Sequence, residues 1–174
     1  GRFSPSLLAQ LASQIPPERL LYSHQAEAVL SAPAENSGSQ PAIILTAGTG
    51  AGKTESFLLP MLNHLWSRPR QGPGIRALIL YPMNALVNDQ VHRLSSWLQG
   101  QERLSLCRFT SETPESRREA RRKQLELGRP HVRLTRRQAR GWEDDAGRDL
   151  PPDSRREPPD ILITNYSMLE YMLA

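Results

Sequence analysis

The 174-residue chain has a single cysteine, Cys107, so an intrachain disulfide is excluded and a reducing compartment such as the cytoplasm is expected. Cys107 lies in an apolar, strand-like run and reads as a buried structural thiol rather than a nucleophile. The four histidines, His24, His64, His92 and His131, are scattered and lack metal-ligand spacing. Apolar runs extend only a few residues, too short for a membrane span. No basic start leads into an apolar core, so no signal peptide is expected. Aromatics are 6% of the residues, and none falls within the basic run Arg117 to Arg140, so base stacking on that run has no support. The net charge of +4 permits a polyanion partner without requiring one.

What is present is a glycine-rich turn between two apolar elements. Residues 42 to 55 read Ala-Ile-Ile-Leu-Thr-Ala-Gly-Thr-Gly-Ala-Gly-Lys-Thr-Glu. That order suits a strand, a turn and a helix start, the layout of a phosphate-binding P-loop. Thr49, Gly50, Ala51, Gly52, Lys53, Thr54 and Glu55 form the candidate cradle. Its glycines let main-chain N–H groups close around phosphates, and the helix N-terminus adds partial positive charge. Lys53 would reach the β/γ-phosphates of ATP, and the Thr54 hydroxyl would ligate Mg²⁺. The first position of the usual Gly-x-x-x-x-Gly-Lys-[Ser/Thr] pattern is Ala47 here.

Helices are expected over 6–15, 24–30, 52–66 and 84–98, with Pro60 kinking the third. Strands are expected over 41–46, 76–81, 104–109 and 160–164. Thr113, followed by Pro114, should cap a helix that runs to Leu127 and stops at Gly128. Residues 141 to 159, charged and with two Pro-Pro pairs, read as a mobile insertion. A last helix spans 166–173. Strands alternating with helices give an α/β fold with a mainly parallel sheet. Its parts are N-terminal helices over 1–40 and a partial nucleotide-binding domain over 41–174, the latter interrupted by a charged insertion at about 114–159.

Gln25 sits one element ahead of the glycine turn. Its amide can pair with adenine N6 and N7 together, and Tyr22 could stack on the base. Tyr-Ser-His-Gln-Ala, then Thr-Ala-Gly-Thr-Gly-Ala-Gly-Lys-Thr-Glu-Ser-Phe-Leu-Leu-Pro, then Leu-Tyr-Pro-Met-Asn-Ala-Leu-Val-Asn-Asp-Gln, then Asp-Ile-Leu-Ile-Thr-Asn-Tyr-Ser-Met-Leu-Glu-Tyr-Met-Leu occur in that order. The set resembles superfamily-two helicases, above all large bacterial DEAD/DEAH-box helicases, some of them linked to DNA repair or phage defence. The resemblance covers nearly all of the chain outside residues 128 to 159.

The resemblance implies an incomplete RecA-like P-loop NTPase domain that binds ATP and Mg²⁺. Its partners would be nucleic acid, DNA ahead of RNA, and a second RecA-like domain of the same parent chain. Gln25 corresponds to the Q-motif glutamine, and Thr49, Gly50, Gly52, Lys53 and Thr54 to motif I. Pro82, Met83 and Asn84 correspond to a motif that touches the nucleic-acid backbone, with Met83 where a threonine is usual. Thr164, Asn165 and Met168 correspond to a Thr-centred motif that grips the same strand. Thr113 and Arg117 fall where a further backbone-contacting loop is expected. Independently of the resemblance, these segments follow expected strands, and open α/β sheets bind ligands outside the carboxyl ends of their strands. Helix capping is the competing role for Asn84 and Asn165.

From Arg117 to Arg140 there are ten Lys/Arg against two acids. Contact with a polyanion is one explanation, and a solvated helix balanced by Glu143, Asp144 and Asp145 is the other. Two further classes stay open: a different P-loop NTPase, or a nucleic-acid-binding module without catalysis. No Asp-Glu pair of the kind that holds Mg²⁺ and orients water is present, and the arginine finger would come from a second domain. These 174 residues alone are therefore expected to bind nucleotide without appreciable turnover. Lys53-dependent ATP hydrolysis by the isolated chain, followed by phosphate release, would refute that expectation.

Overall fold

The computed structural model describes residues 3–16, 18–31, 42–48, 50–125 and 131–174. They form two compact units, Gly1–Pro69 and Arg70–Ala174.

The first unit is helical: α1 (Pro5–Leu11), α2 (Ser23–Ser31) and α3 (Lys53–Ser67). Pro5 starts α1, where its missing N–H costs no hydrogen bond, and the helix ends well short of the expected residue 15. The core comprises Leu7, Leu11, Ala28, Leu58, Leu62 and Leu65. Asn63 Oδ1 accepts from the Ser4 N–H at 2.8 Å, and the Trp66 indole donates to the Ser6 hydroxyl at 2.9 Å, tying α1 to α3. Pro60 lies inside α3 as expected. The expected strand at 41–46 is not formed: residues 42–48 have no regular structure, and Ile43 and Ile44 are 49% and 88% exposed. A strand needs a neighbour for its N–H and C=O groups, and the described residues of this unit supply only helices. Pro41 lies outside the described residues.

The second unit is an open α/β sheet of four parallel strands, in the order β1 (Ala77–Tyr81), β4 (Ile161–Asn165), β2 (Leu106–Phe109), β3 (Val132–Arg133). Helix α4 (Asn84–Trp97) contacts β1, β2 and β4, and α7 (Tyr166–Leu173) contacts β4. Side chains alternate across the sheet. Cys107, Phe109 and Leu162 share one face with Met168 and Ala139, which leaves Leu106, Ile161 and Ile163 for the other. Burial pushes the Cys107 thiol up to about 12, so it is inert at neutral pH.

The region after β2 departs most from expectation. Ser116, not Thr113, caps the next helix, α5 (Arg117–Arg122), its hydroxyl accepting from the Glu119 N–H. Thr113 instead closes a turn: its hydroxyl accepts from the Thr110 N–H at 2.9 Å and donates to the Arg108 carbonyl at 3.1 Å. The helix stops early, with Gln124 at φ 53; Leu127 and Gly128 lie outside the described residues. A further short helix, α6 (Arg136–Ala139), is capped by Thr135.

Residues 141–159 pack rather than hang loose. Buried Glu143 accepts the Arg117 N–H with both carboxylate oxygens at 3.0 Å and the Thr135 hydroxyl at 2.8 Å. Asp144 caps the following turn, and the Arg148 main-chain N–H leads the interactions that lower its carboxyl to about 2. Gly141, at φ 74, fits only because it lacks a side chain: a Cβ there would lie 1.8 Å from the Arg156 carbonyl oxygen.

Asp160, at the entry to β4, accepts from the Ser105 N–H at 2.9 Å, Arg70 at 3.0 Å and Arg76 at 3.1 Å. Burial alone would raise its pKa; the Ser105 N–H, Arg76 and Arg70 outweigh burial and lower it. A depressed folded-state pKa contributes stability above the unfolded value, about 3.9, and that contribution fades as pH falls through the folded value. Urea unfolding should therefore show Asp160→Asn less stable at neutral pH, with a smaller loss of stability below about pH 4 than the wild type.

Candidate functional site

The glycine turn of the first unit carries two left-handed residues, Gly50 at φ 75 and Gly52 at φ 71, directly before Lys53 opens α3. Lys53 Nζ donates to the Ala47 and Gly48 carbonyls at 2.6 and 2.7 Å. The ammonium thus braces the loop from within. Gln25 is 1% exposed; its Oε1 accepts from the Tyr22 N–H at 3.0 Å and its Nε2 donates to the Gly52 carbonyl at 2.9 Å. One amide therefore joins the start of α2 to the start of α3. It keeps one N–H and one lone pair beyond those bonds. The Tyr22 ring stacks on His24 with centroids 5.7 Å apart, and its residue is 57% exposed. Ala51, Thr54 and Glu55 are half-buried around the turn, while Thr49 lies outside the described residues.

This donor set fits a nucleotide phosphate: main-chain N–H groups at a helix start, an ammonium and a hydroxyl. Among the described residues no group of three or more His, Cys, Asp or Glu could hold a metal. A Mg²⁺ ion at Thr54 would therefore need phosphate oxygens and water for its remaining ligands.

The second unit places the other candidates at the carboxyl ends of β1, β2 and β4. Pro82 and Met83 are exposed after β1. Asn165 caps α7, its Oδ1 accepting from the Met168 N–H at 2.7 Å, and its Nδ2 donates to Asn84 Oδ1 at 2.6 Å. Asn84 Nδ2 donates to Glu112 Oε1 at 3.1 Å. The capping role holds for Asn165, whereas Asn84 makes no side-chain cap. Thr164 is fully buried, its hydroxyl donating to the Phe109 carbonyl at 2.5 Å. Thr113, Arg117 and Met168 are buried too. Thr113 and Thr164 bond to main chain at the ends of β2 and β4, Met168 packs on Phe109 and Leu162, and none of the four side chains is presented to solvent.

Six of the ten basic residues of the run have partners within the fold. Lys123 pairs with Glu119 at 2.7 Å, Arg137 with Asp149 at 2.8 Å and Arg140 with Glu115 at 3.1 Å. Arg121, Arg133 and Arg136 donate to main-chain carbonyls. Of the acids named in the sequence, Asp144 pairs with Arg148, Asp145 with Arg156, and Glu143 takes the Arg117 main-chain N–H. Sequence reasoning missed Glu112 and Asp160. A carboxylate three residues after β2 and another immediately before β4 were the available signals.

Known proteins match parts of this sequence. The family model for the DEAD/DEAH box helicase matches residues 22–139, more than half of the chain. The chain is 38% identical to "Druantia protein DruE" of Escherichia coli over 122 residues, 60% of this chain and 6% of that protein. It is 45% identical over 56 residues to "Probable ATP-dependent RNA helicase DDX27" of Homo sapiens, 32% of this chain and 7% of that protein. It is 42% identical over 59 residues to "ATP-dependent RNA helicase SrmB" of Haemophilus influenzae, 32% of this chain and 13% of that protein. The chain thus spans only a small part of the relatives it matches.

The two left-handed glycines allow separate tests. A Cβ on Gly50 would meet nothing within 4 Å, whereas one on Gly52 would lie 2.4 Å from Gln25 Nε2. Buried Gln25 has little room to yield. Gly50→Ala should cost about 1 kcal/mol through backbone strain. Gly52→Ala should cost roughly 1–2 kcal/mol more, because it also displaces the Gln25 amide. Paired denaturation curves should resolve the difference.

Proposed function

This chain belongs to the DEAD/DEAH box helicase family, and we propose that it is the ATP-binding portion of a longer nucleic-acid-dependent ATPase, a helicase or translocase. The observation that carries the proposal is the Gln25 amide bonded to the carbonyl of Gly52 at the start of the P-loop helix. It joins the segment that would face adenine to the one that would face the phosphates, so base recognition and phosphate binding would be linked through one side chain. Tyr22 and Gln25 would take the base. The N–H groups at 50–54 and Lys53 would hold the phosphates, and Thr54 would hold Mg²⁺. Bound ATP supplies the scissile phosphoanhydride. Lys53 would exchange the Ala47 and Gly48 carbonyls for phosphate oxygens, so the brace within the loop gives way to a ligand contact. The acidic pair that orients water and the second RecA-like domain belong, in this proposal, to the rest of the parent protein.

The nucleic-acid strand would run over the ends of β1, β4 and β2. Exposed Pro82 and Met83, and half-buried Asn84 and Asn165, are the contacts; Thr113, Thr164 and Met168 support them from beneath. The likeness to large bacterial DEAD/DEAH-box helicases, some of them linked to DNA repair or phage defence, supports DNA ahead of RNA in this reading, whereas DDX27 and SrmB are named as RNA helicases. Cytoplasmic residence accords with one buried, unreactive cysteine. No described helix is long and apolar enough to cross a membrane. A P-loop enzyme with a substrate-binding arginine lid is disfavoured, because Arg137, Arg140, Arg148 and Arg156 each pair with an acid of the same unit.

ATP hydrolysis by the parent protein, assayed with and without single-stranded DNA or RNA, tests the proposal. One polymer should stimulate turnover, and Lys53→Ala should lower it by about 10²-fold or more. Hydrolysis indifferent to both polymers would favour another kind of P-loop NTPase, and none at all a binding module.

A further inference from the structure

The three strand ends of the second unit are joined by a chain of hydrogen bonds with a fixed direction. It starts at the cap of α7, where the Met168 N–H needs an acceptor and takes Asn165 Oδ1 at 2.7 Å. That turns Asn165 Nδ2 toward Asn84, whose Oδ1 accepts at 2.6 Å. Asn84 Nδ2 must then face an acceptor, and Glu112 Oε1 lies 3.1 Å away. A carboxylate only accepts, so it ends the chain with the required polarity. Its other oxygen lies 3.9 Å from Arg108 Nη1, which itself donates to Asn88 Oδ1 at 2.7 Å.

Each asparagine amide has two hydrogens and uses one in this chain. The second has no partner among the described residues on either asparagine. Both residues are half-buried, and Asn84 follows exposed Pro82 and Met83. An amide N–H of this kind suits a phosphodiester oxygen, which is an acceptor only.

We propose that Glu112 is a positioning residue: it orients the Asn84 amide, and through it the link to Asn165, so that each keeps one N–H for the backbone of a bound single strand. The proposal rests on the strand ends being the nucleic-acid face. It runs against simple electrostatics. A carboxylate near phosphates repels them, so if charge alone mattered its removal would tighten binding. A positioning role predicts the opposite sign for Glu112→Ala and rescue by Glu112→Gln, whose amide oxygen still accepts from Asn84.

The test measures binding of fluorescent single-stranded DNA and RNA oligonucleotides to the parent protein and its variants, beside strand-stimulated ATPase. Glu112→Ala should weaken strand binding about three- to tenfold, a loss of the size expected for one hydrogen bond. That loss should appear in the strand concentration giving half-maximal stimulation more than in the maximal rate. Glu112→Gln should bind at least as tightly as wild type. In an Asn84→Ala background, Glu112→Ala should bring no further weakening. Equal or tighter binding by Glu112→Ala, or a Glu112→Gln variant as weak as the alanine, overturns the positioning role alone. A wild-type parent that binds neither polymer overturns the functional reading, and this inference with it.

Discussion

Strand β4 has hydrogen-bonded neighbours on both flanks, and its register decides where the rest of the second unit lies. Both of its ends are pinned by side chains. At the entry, Asp160 gathers Ser105, Arg70 and Arg76. At the exit, Thr164 ties to the carbonyl of Phe109 and Asn165 ties to Asn84. A slip of one residue would turn Thr164 to the opposite face and break both sets of bonds. The alignment of the strand ends therefore follows from pairing within the sheet, and the loops beyond them inherit it.

Some of this was readable from residues alone, because it depends on local requirements. Gly50 and Gly52 were legible since the turn demands left-handed backbone there. Strands 77–81 and 161–165 were legible as apolar runs. The segment at 42–46 was not, although it is equally apolar. Apolar composition marks a place that wants covering; whether a partner strand covers it is a matter of tertiary contacts. The choice between Thr113 and Ser116 as a cap was also beyond local reasoning. Both are good capping residues, and buried Glu143, distant in sequence, takes the Arg117 N–H beside Ser116.

The candidate site divides in the same way. Gln25 and Lys53 were legible as chemistry, but their bonds to Gly52, Ala47 and Gly48 were not. Thr164 and Thr113 look like surface hydroxyls after strands, yet each is engaged with main chain inside the fold. The basic run could not be resolved from spacing, because its partners Glu115 and Asp149 lie outside the run. Exposed ion pairs of this kind contribute about 1 kcal/mol or less each. Their effect is to relieve repulsion among neighbouring arginines rather than to hold the unit together.

Gly141 has a bearing on how this region can diversify. The Arg137–Asp149 and Arg156–Asp145 pairs can change together, or reverse sign, at small cost. Gly141 has no such freedom, since the Arg156 carbonyl occupies the space of any side chain there. Variation in the charged insertion should therefore be wide in charge and narrow in shape: the acids and bases can drift, while one residue without a side chain keeps the loop's course.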